Sequence, residues 1–246
     1  MSWSRIVSLG LLGLLLLGAI GWLASREDAV PANSVTLLFQ AEAGGEPLTL
    51  DRYKYENPGG RGVFRVRDFR FYLTNVTLHG SDRDYVEPDS YHLARFDNEA
   101  STYALRIDGV PLDDLTKVAF SVGVDAAANT SIEVRGDLDP NSQMAWNWEV
   151  GYKFVVLEGV LRVEESEHPI VFHVGFAENR RDFEFDLPKP VRLLNNSEIH
   201  FIVDPLRLFN GSNKVDLEAL QSVKFDRQDA RRVAENYGEM ITLPAK

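Results

Sequence analysis

The residues best suited to bind a metal in this sequence are two histidines inside apolar segments. The chain has five histidines, and two of them, His173 in "VFHVGF" and His200 in "EIHFIVD", interrupt runs typical of strands. Neutral imidazole is the commonest metal ligand in proteins and suits copper and zinc. If the two segments paired as strands, both rings would come together. A histidine in a strand can also be a core or edge residue, and that structural interpretation stays open.

A second unusual feature is the stretch "GDLDPNSQMAWNWEVGYKF" at residues 136–154. It contains Trp146 and Trp148, two of only four tryptophans, at a spacing that turns both rings to one face of an extended backbone. Tryptophan is costly to expose and awkward to bury, because its ring N–H needs a partner. Met144 could serve as a soft axial ligand, although packing is the more usual role of methionine. A purely structural role for both indoles remains possible.

Other catalytic and metal-binding patterns are missing from the sequence. Asp137, Asp139 and Asn141 have the spacing of a calcium loop, but Ser142 and Trp148 stand where glycine and glutamate are needed. We therefore predict an ordinary turn at "GDLDPNS". The chain has no cysteine, no Gly-rich phosphate loop, no G-x-S-x-G elbow and no H-E-x-x-H helix. No acid/base pair stands out either, so we expect that the protein is not an enzyme.

The charge of the chain argues against nucleic acid as a partner. Acidic residues outnumber Lys and Arg 37 to 26, which gives a formal net charge of −11 at pH 7. Such a surface repels phosphate backbones, and no basic stripe interrupts it.

The first residues predict export from the cytoplasm. Arg5 precedes "IVSLGLLGLLLLGAIGWL" at residues 6–23, and a polar spacer follows with "VPA" ending at Ala32. This is the pattern of a signal peptide, and the apolar run is also just long enough to anchor the chain in a membrane. We predict a targeting or anchoring segment over residues 1–32 and one domain over 33–246. That domain would be periplasmic or otherwise extracytoplasmic, in contact with a membrane only through the N-terminal segment.

The hydrophobic pattern beyond residue 33 predicts a mostly β protein. Segments with alternating or continuous β-branched and aromatic residues are separated by Gly, Pro, Asn and Asp clusters, which favours an immunoglobulin- or jelly-roll-like β-sandwich. "GVDAAANTS" at residues 123–131 is predicted to be a small-residue loop.

One helix is predicted near the C-terminus. "DRQDARRVAENYG" begins with Asp226 as N-cap, has Asp229 in its first turn and stops at Gly238. Val233 and Tyr237 would face the sheet one turn apart.

Six segments resemble, in this order, sequences of the MbnP-like family. They are "RFYLTNVTL" (70–78), "GDLDP" (136–140), "MAWNWEVGYKFVVLEG" (144–159), "FHVGF" (172–176), "FIVDPLRLFNG" (201–211) and "VAENYGEM" (233–240). The most specific piece is W-x-W followed by Gly-Tyr. The resemblance covers roughly residues 35–240.

The resemblance implies a secreted β-sandwich that binds copper. It also implies a partner, a di-haem enzyme similar to MauG and cytochrome c peroxidases, that oxidises a tryptophan to kynurenine. The aryl amine and ketone of kynurenine would then bind copper alongside histidines. Trp146 and Trp148 match the tryptophan pair without indicating which is modified. His173 matches the histidine of the H-x-G motif, and His200 lies in the strand before the Val-Asp-Pro turn.

A second class of function remains as an alternative. A periplasmic β-sandwich without metal could bind a glycan or another ligand, or act in adhesion. In that case the tryptophans would form an exposed aromatic platform and the histidines would be structural.

Overall fold

The structure is a computed structural model that describes residues 33–131, 133–147, 150–194 and 196–244. These residues belong to one compact unit, Asn33–Lys246. The predicted targeting or anchoring segment, residues 1–32, and Trp148 lie outside the described residues. Within the described ranges no helix is long and apolar enough to cross a membrane.

Strands dominate the described chain. They are β1 (Asn33–Ala43), β2 (Glu46–Pro47), β3 (Tyr55–Glu56), β4 (Val63–His79), β5 (Asp84–Val86), β6 (Tyr91–Phe96), β7 (Thr102–Val110), β8 (Asp114–Val122), β9 (Ala145–Asn147), β10 (Gly151–Val163), β11 (Ser166–Gly175), β12 (Arg181–Arg192), β13 (Ser197–Val203), β14 (Ser222–Val223) and β15 (Ile241–Thr242). The helices are α1 (Ala126–Asn129) and α2 (Arg227–Tyr237), and short 3-10 turns occur at Pro140–Ser142, Ala177–Asn179 and Pro205–Leu208.

The strands form two open sheets. The smaller sheet has the order β15–β13–β1–β2, with β7 also paired to β1; β1 and β13 run parallel. The ten-stranded sheet has the order β12–β8–β4–β10–β11–β14, with β3, β5 and β6 along β4 and β9 along β10. The prediction of a mostly β sandwich with a short C-terminal helix is confirmed.

The main core lies between the two sheets. Strand β1 alternates between buried and half-buried residues, as expected of a strand with one face on the core. Phe39 of β1 stacks on Phe201 of β13 at 5.0 Å between ring centroids and meets Phe120 of β8 edge-on at 5.4 Å. The contact with Phe120 joins the two sheets, and both aromatic contacts add to the stabilisation from buried area.

A second, smaller buried cluster lies on the outer face of the ten-stranded sheet, the face turned away from the other sheet. Tyr72, Tyr152 and Phe154 point outward from the sheet, and Leu138 and Met144 cover them from the long connection between β8 and β10. We call residues 123–150 the outer connection. The outer connection places Trp146 next to the sheet, because β9 pairs with the start of β10.

The C-terminal helix begins and ends where the sequence predicts. The Asp226 side chain accepts a hydrogen bond from the backbone N–H of Asp229, and Gly238 follows the last helical residue. Val233 and Tyr237 are both fully buried. The predicted capping and the predicted apolar face are therefore confirmed.

The outer connection differs from the sequence prediction at one point. "GVDAAANTS" contains the short helix α1 rather than a plain loop, because the Asp125 side chain caps it by accepting from the N–H groups of Ala127 and Ala128. The predicted turn at residues 136–142 is confirmed. It ends in a 3-10 turn that Asp139 caps through the N–H of Asn141.

Candidate site on the outer face of the larger sheet

His173 lies on the outer face of strand β11. Its neighbours Phe172 and Val174 point into the core, so alternation turns the imidazole outward, beside Val156 of β10. The Nε2 atom lies 2.7 Å from Oε1 of Glu158, and the His173 side chain is only 13% exposed. A carboxylate can only accept, so the Nε2–H donates. The lone pair of the neutral ring is then on Nδ1.

The surroundings of His173 favour its neutral form. Burial lowers its pKa from the ordinary 6.5, and this outweighs the hydrogen bond to Glu158, which raises the pKa. The positive charges of Lys153 and Lys224 lower it further. A neutral imidazole is the form that binds a metal.

This pKa shift predicts how stability depends on pH. The unfolded chain takes up a proton on this ring near pH 6.5, whereas the folded protein takes it up only at lower pH. His173 therefore contributes its full stability above pH 6.5 and loses it as the pH falls from 6.5 towards the folded pKa. Urea unfolding at several pH values should show a smaller loss on acidification in His173→Gln than in the unchanged protein. An equal loss in both proteins would contradict the shift.

Charged residues surround the His173–Glu158 pair. Asp68 of β4 is directly opposite Glu158 of β10, and Arg70 Nη2 lies 3.0 Å from Asp68 Oδ2. Burial raises the pKa of Asp68, although Arg70 partly opposes this. The Arg70 side chain is 8% exposed, and its Nε–H has no hydrogen-bond partner among the described residues.

Three cations hold the outer connection on the sheet. Arg70 Nη1 and Arg95 Nη2 donate to the carbonyl of Ser142 at 3.4 and 3.0 Å, and Lys153 Nζ donates to the carbonyl of Gln143 at 2.8 Å. Gln143 itself has a left-handed backbone with φ of 62°. The carbonyls just before Trp146 are thus fixed by side chains of β4, β6 and β10.

Trp146 lies against strand β11 close to His173. It belongs to β9, which pairs with the start of β10, and its half-buried ring is so near Gly175 that a Cβ there would be 2.6 Å from Cζ3. Gly175 and His173 are alternate residues on one strand, hence on one face and about 7 Å apart. The indole therefore contacts β11 two residues beyond His173, and it also packs against Phe176 at the edge of the main core.

Trp146 is part of a group of three aromatic side chains. Its ring centroid lies 5.5 Å from that of Phe176 and 5.4 Å from that of Phe225, and the Arg227 guanidinium lies over Phe176 at 4.2 Å. Phe176 has a φ of 69°, a strained value for a bulky residue. We call Trp146, Phe176 and Phe225 the aromatic triad.

His200 lies elsewhere. It belongs to β13 of the smaller sheet, beside Leu38 of β1, and its side chain is 57% exposed with Nε2 3.4 Å from Glu198. Strand β11 pairs with β10 and β14, whereas β13 pairs with β1 and β15. The His173 and His200 segments therefore do not pair, so the condition under which both rings would come together is not met. Each strand instead finds partners in its own sheet.

Met144 and Trp148 are the other residues that the sequence suggests as ligands. Met144 is fully buried in the apolar cluster under the outer connection, so the structure gives its side chain a packing environment; its role as an axial ligand stays a prediction. Trp148 lies outside the described residues. Among the residues that are described, no group of three or more His, Asp or Glu could hold a metal ion.

Sequence reasoning missed Glu158, the partner of His173. Its signal was available, because Glu158 is the one charged residue in the otherwise apolar run "FVVLEGVL". A buried strand tolerates such a charge when it is paired or hydrogen-bonded. No pattern in the sequence indicates that Phe225 lies next to Trp146.

The fold and the site together define a class of protein. It is an open β-sandwich in which a half-buried tryptophan packs on the strand that carries an outward-facing histidine. The family model of MbnP matches residues 32–225, so the chain belongs to the MbnP family, as the resemblance predicted.

A solved structure agrees on the fold. The chain is similar to MbnP from Methylosinus trichosporium, with a TM-score of 0.57 and 18% sequence identity, over 87% of this chain and 99% of that one. At this identity the similarity speaks for the fold alone. No curated protein matches the chain significantly.

Proposed function

We propose that this chain is an exported copper-binding protein in which His173 and an oxidised Trp146 bind the metal. The observation that supports this best is the position of the Trp146 ring against Gly175, two residues from His173 on the same strand. Family membership supports the same function. In this proposal the chain is the substrate of an oxidising enzyme and is not itself an enzyme.

The side chains at the site supply enough ligands for copper only if Trp146 is converted to kynurenine. His173 offers Nδ1 of a neutral imidazole, which suits copper, but the nearest carboxylate, Glu158, already accepts from the other ring nitrogen. An indole has no lone pair available for a metal. Kynurenine at position 146 would add an aryl amine and a ketone next to the imidazole.

The oxidation of Trp146 to kynurenine has a defined stoichiometry. The C2–C3 bond of the Trp146 indole breaks, and two oxygen atoms enter while two molecules of hydrogen peroxide are reduced to water; hydrolysis then releases the formyl carbon as formate. A di-haem enzyme of the peroxidase type, similar to MauG, would use the peroxide. The substrate residue must lie near the surface, and Trp146 is only half-buried.

The neighbouring residues have supporting roles in this proposal. Glu158 fixes the orientation of the His173 ring and leaves Nδ1 free, as carboxylates commonly do for metal-binding histidines. Arg70, Arg95 and Lys153 hold the connection that positions residue 146.

Metal analysis tests the proposal. Protein purified from the periplasm of its own host should contain copper, and the copper should be absent from His173→Ala isolated in the same way. Protein that is isolated without copper and does not take up added Cu(I) would contradict the proposal. Copper retained in full by His173→Ala would reject His173 as a ligand.

A further inference from the structure

Phe225 is the exposed member of the aromatic triad. Five large hydrophobic side chains of the described chain are exposed, and Phe225, at 61%, is the only aromatic one among them. Its ring contacts Trp146, which in turn contacts Phe176. Apolar side chains that form a contiguous exposed group, unlike single ones, mark interaction sites, and Phe225 continues the group formed by Trp146 and Phe176.

The segment 224–232 around Phe225 carries four cations against the two anions Asp226 and Asp229, although the chain as a whole is acidic. Lys224, Arg227 and Arg231 lie on the same segment and are exposed, whereas the formal net charge of the protein is −11. Arg227 pairs with Glu178. Lys224 and Arg231 have no ion pair with any described residue, so their charges are available to a partner.

Lys224 and Arg231 also lie close to the residues of the site. Lys224 directly precedes Phe225, whose ring contacts Trp146. Arg231 lies one helical turn after Arg227, whose guanidinium lies over the Phe176 ring. An apolar anchor and unpaired cations thus border the same edge of the outer face.

We propose that Phe225, Lys224 and Arg231 form the docking surface for the enzyme that oxidises Trp146. This proposal rests on the proposed function. The partner would present an acidic rim, complementary to the two cations, and an apolar recess for the Phe225 ring, close to its redox cofactor. Such a charge match on a chain that repels acidic proteins elsewhere would direct the partner to this edge.

The test measures kynurenine at residue 146 in protein made in its own host. Tandem mass spectrometry of the 136–153 peptide gives the modified fraction at successive times after induction. In Phe225→Ala and in the double variant K224E/R231E, the initial rate should fall about tenfold, since rim charges and central anchors govern association. Unfolding curves and near-ultraviolet circular dichroism check that both variants remain folded.

Matched controls are available at the opposite edge of the larger sheet, where β8, β4 and β10 separate β12 from β11. Leu194→Ala removes another exposed apolar side chain that follows β12. The double variant K189E/R192E reverses two exposed cations of β12. These controls should be modified at the normal rate. Equal rates in the control and docking-surface variants would overturn the docking surface alone. An unmodified Trp146 in the unchanged protein would overturn the proposed oxidation, and the docking surface with it.

Discussion

Gly175→Ala is expected to displace the Trp146 ring and to destabilise the protein by about 1–3 kcal/mol, the usual range for overpacking a filled site. A Cβ at this position would lie 2.5 Å from the carbonyl oxygen of Tyr152 and 2.6 Å from Cζ3 of Trp146. The indole has to move away from the added methyl group, and the contact with the backbone oxygen strains the pairing of β10 and β11 as well. Urea unfolding measures the stability, and near-ultraviolet circular dichroism reports the indole environment.

Gly238→Ala is the matched control for this substitution. Its Cβ would have no neighbour closer than 3.4 Å, so the added methyl group has room. We expect a stability within about 0.5 kcal/mol of the unchanged protein. In host-made protein, Gly175→Ala should also lower the yield of kynurenine, whereas Gly238→Ala should not. Unchanged stability and an unchanged spectrum in Gly175→Ala would contradict the close packing of Trp146 on β11.

His173→Ala is expected to weaken copper binding by about 100-fold or more, since removing a ligand should cost at least as much as removing its hydrogen-bond partner. Glu158→Gln keeps the shape of the side chain but removes its charge, and should weaken binding by about 10-fold. Isothermal titration with Cu(I) on host-made protein measures both constants.

His200→Ala is the control for the histidine experiment. His200 is exposed on the smaller sheet, beside Glu198. Its strand, β13, pairs with β1 and β15 and not with β11. Its replacement should leave copper affinity unchanged. A loss in His200→Ala as large as that in His173→Ala would show that the two histidines share one metal, which contradicts the site described above.

Local patterns in the sequence were sufficient to predict much of the fold. The α2 helix follows from Asp226, Asp229 and Gly238, because capping depends on residues a few positions apart. Strands such as β1 and β11 follow from apolar alternation. The sandwich itself then follows from many strands joined by turns.

The arrangement of the site could be predicted only in part. The alternation of side chains along β11 predicts that His173 faces away from the core. Its separation from His200, however, depends on which distant strands pair. No local pattern encodes that choice. The contact of Trp146 with Gly175 depends on the path of the outer connection, which cations on three different strands fix through backbone carbonyls. The role of Phe225 depends on the same path.

Tandem mass spectrometry of protein isolated from its own host tests the central claim most directly. The peptide of residues 136–153 contains both indoles of the W-x-W motif. Oxidation of tryptophan to kynurenine adds one oxygen and removes one carbon, a gain of about 4 Da. This gain is expected on Trp146. A peptide of unchanged mass, or a gain confined to Trp148, would contradict it.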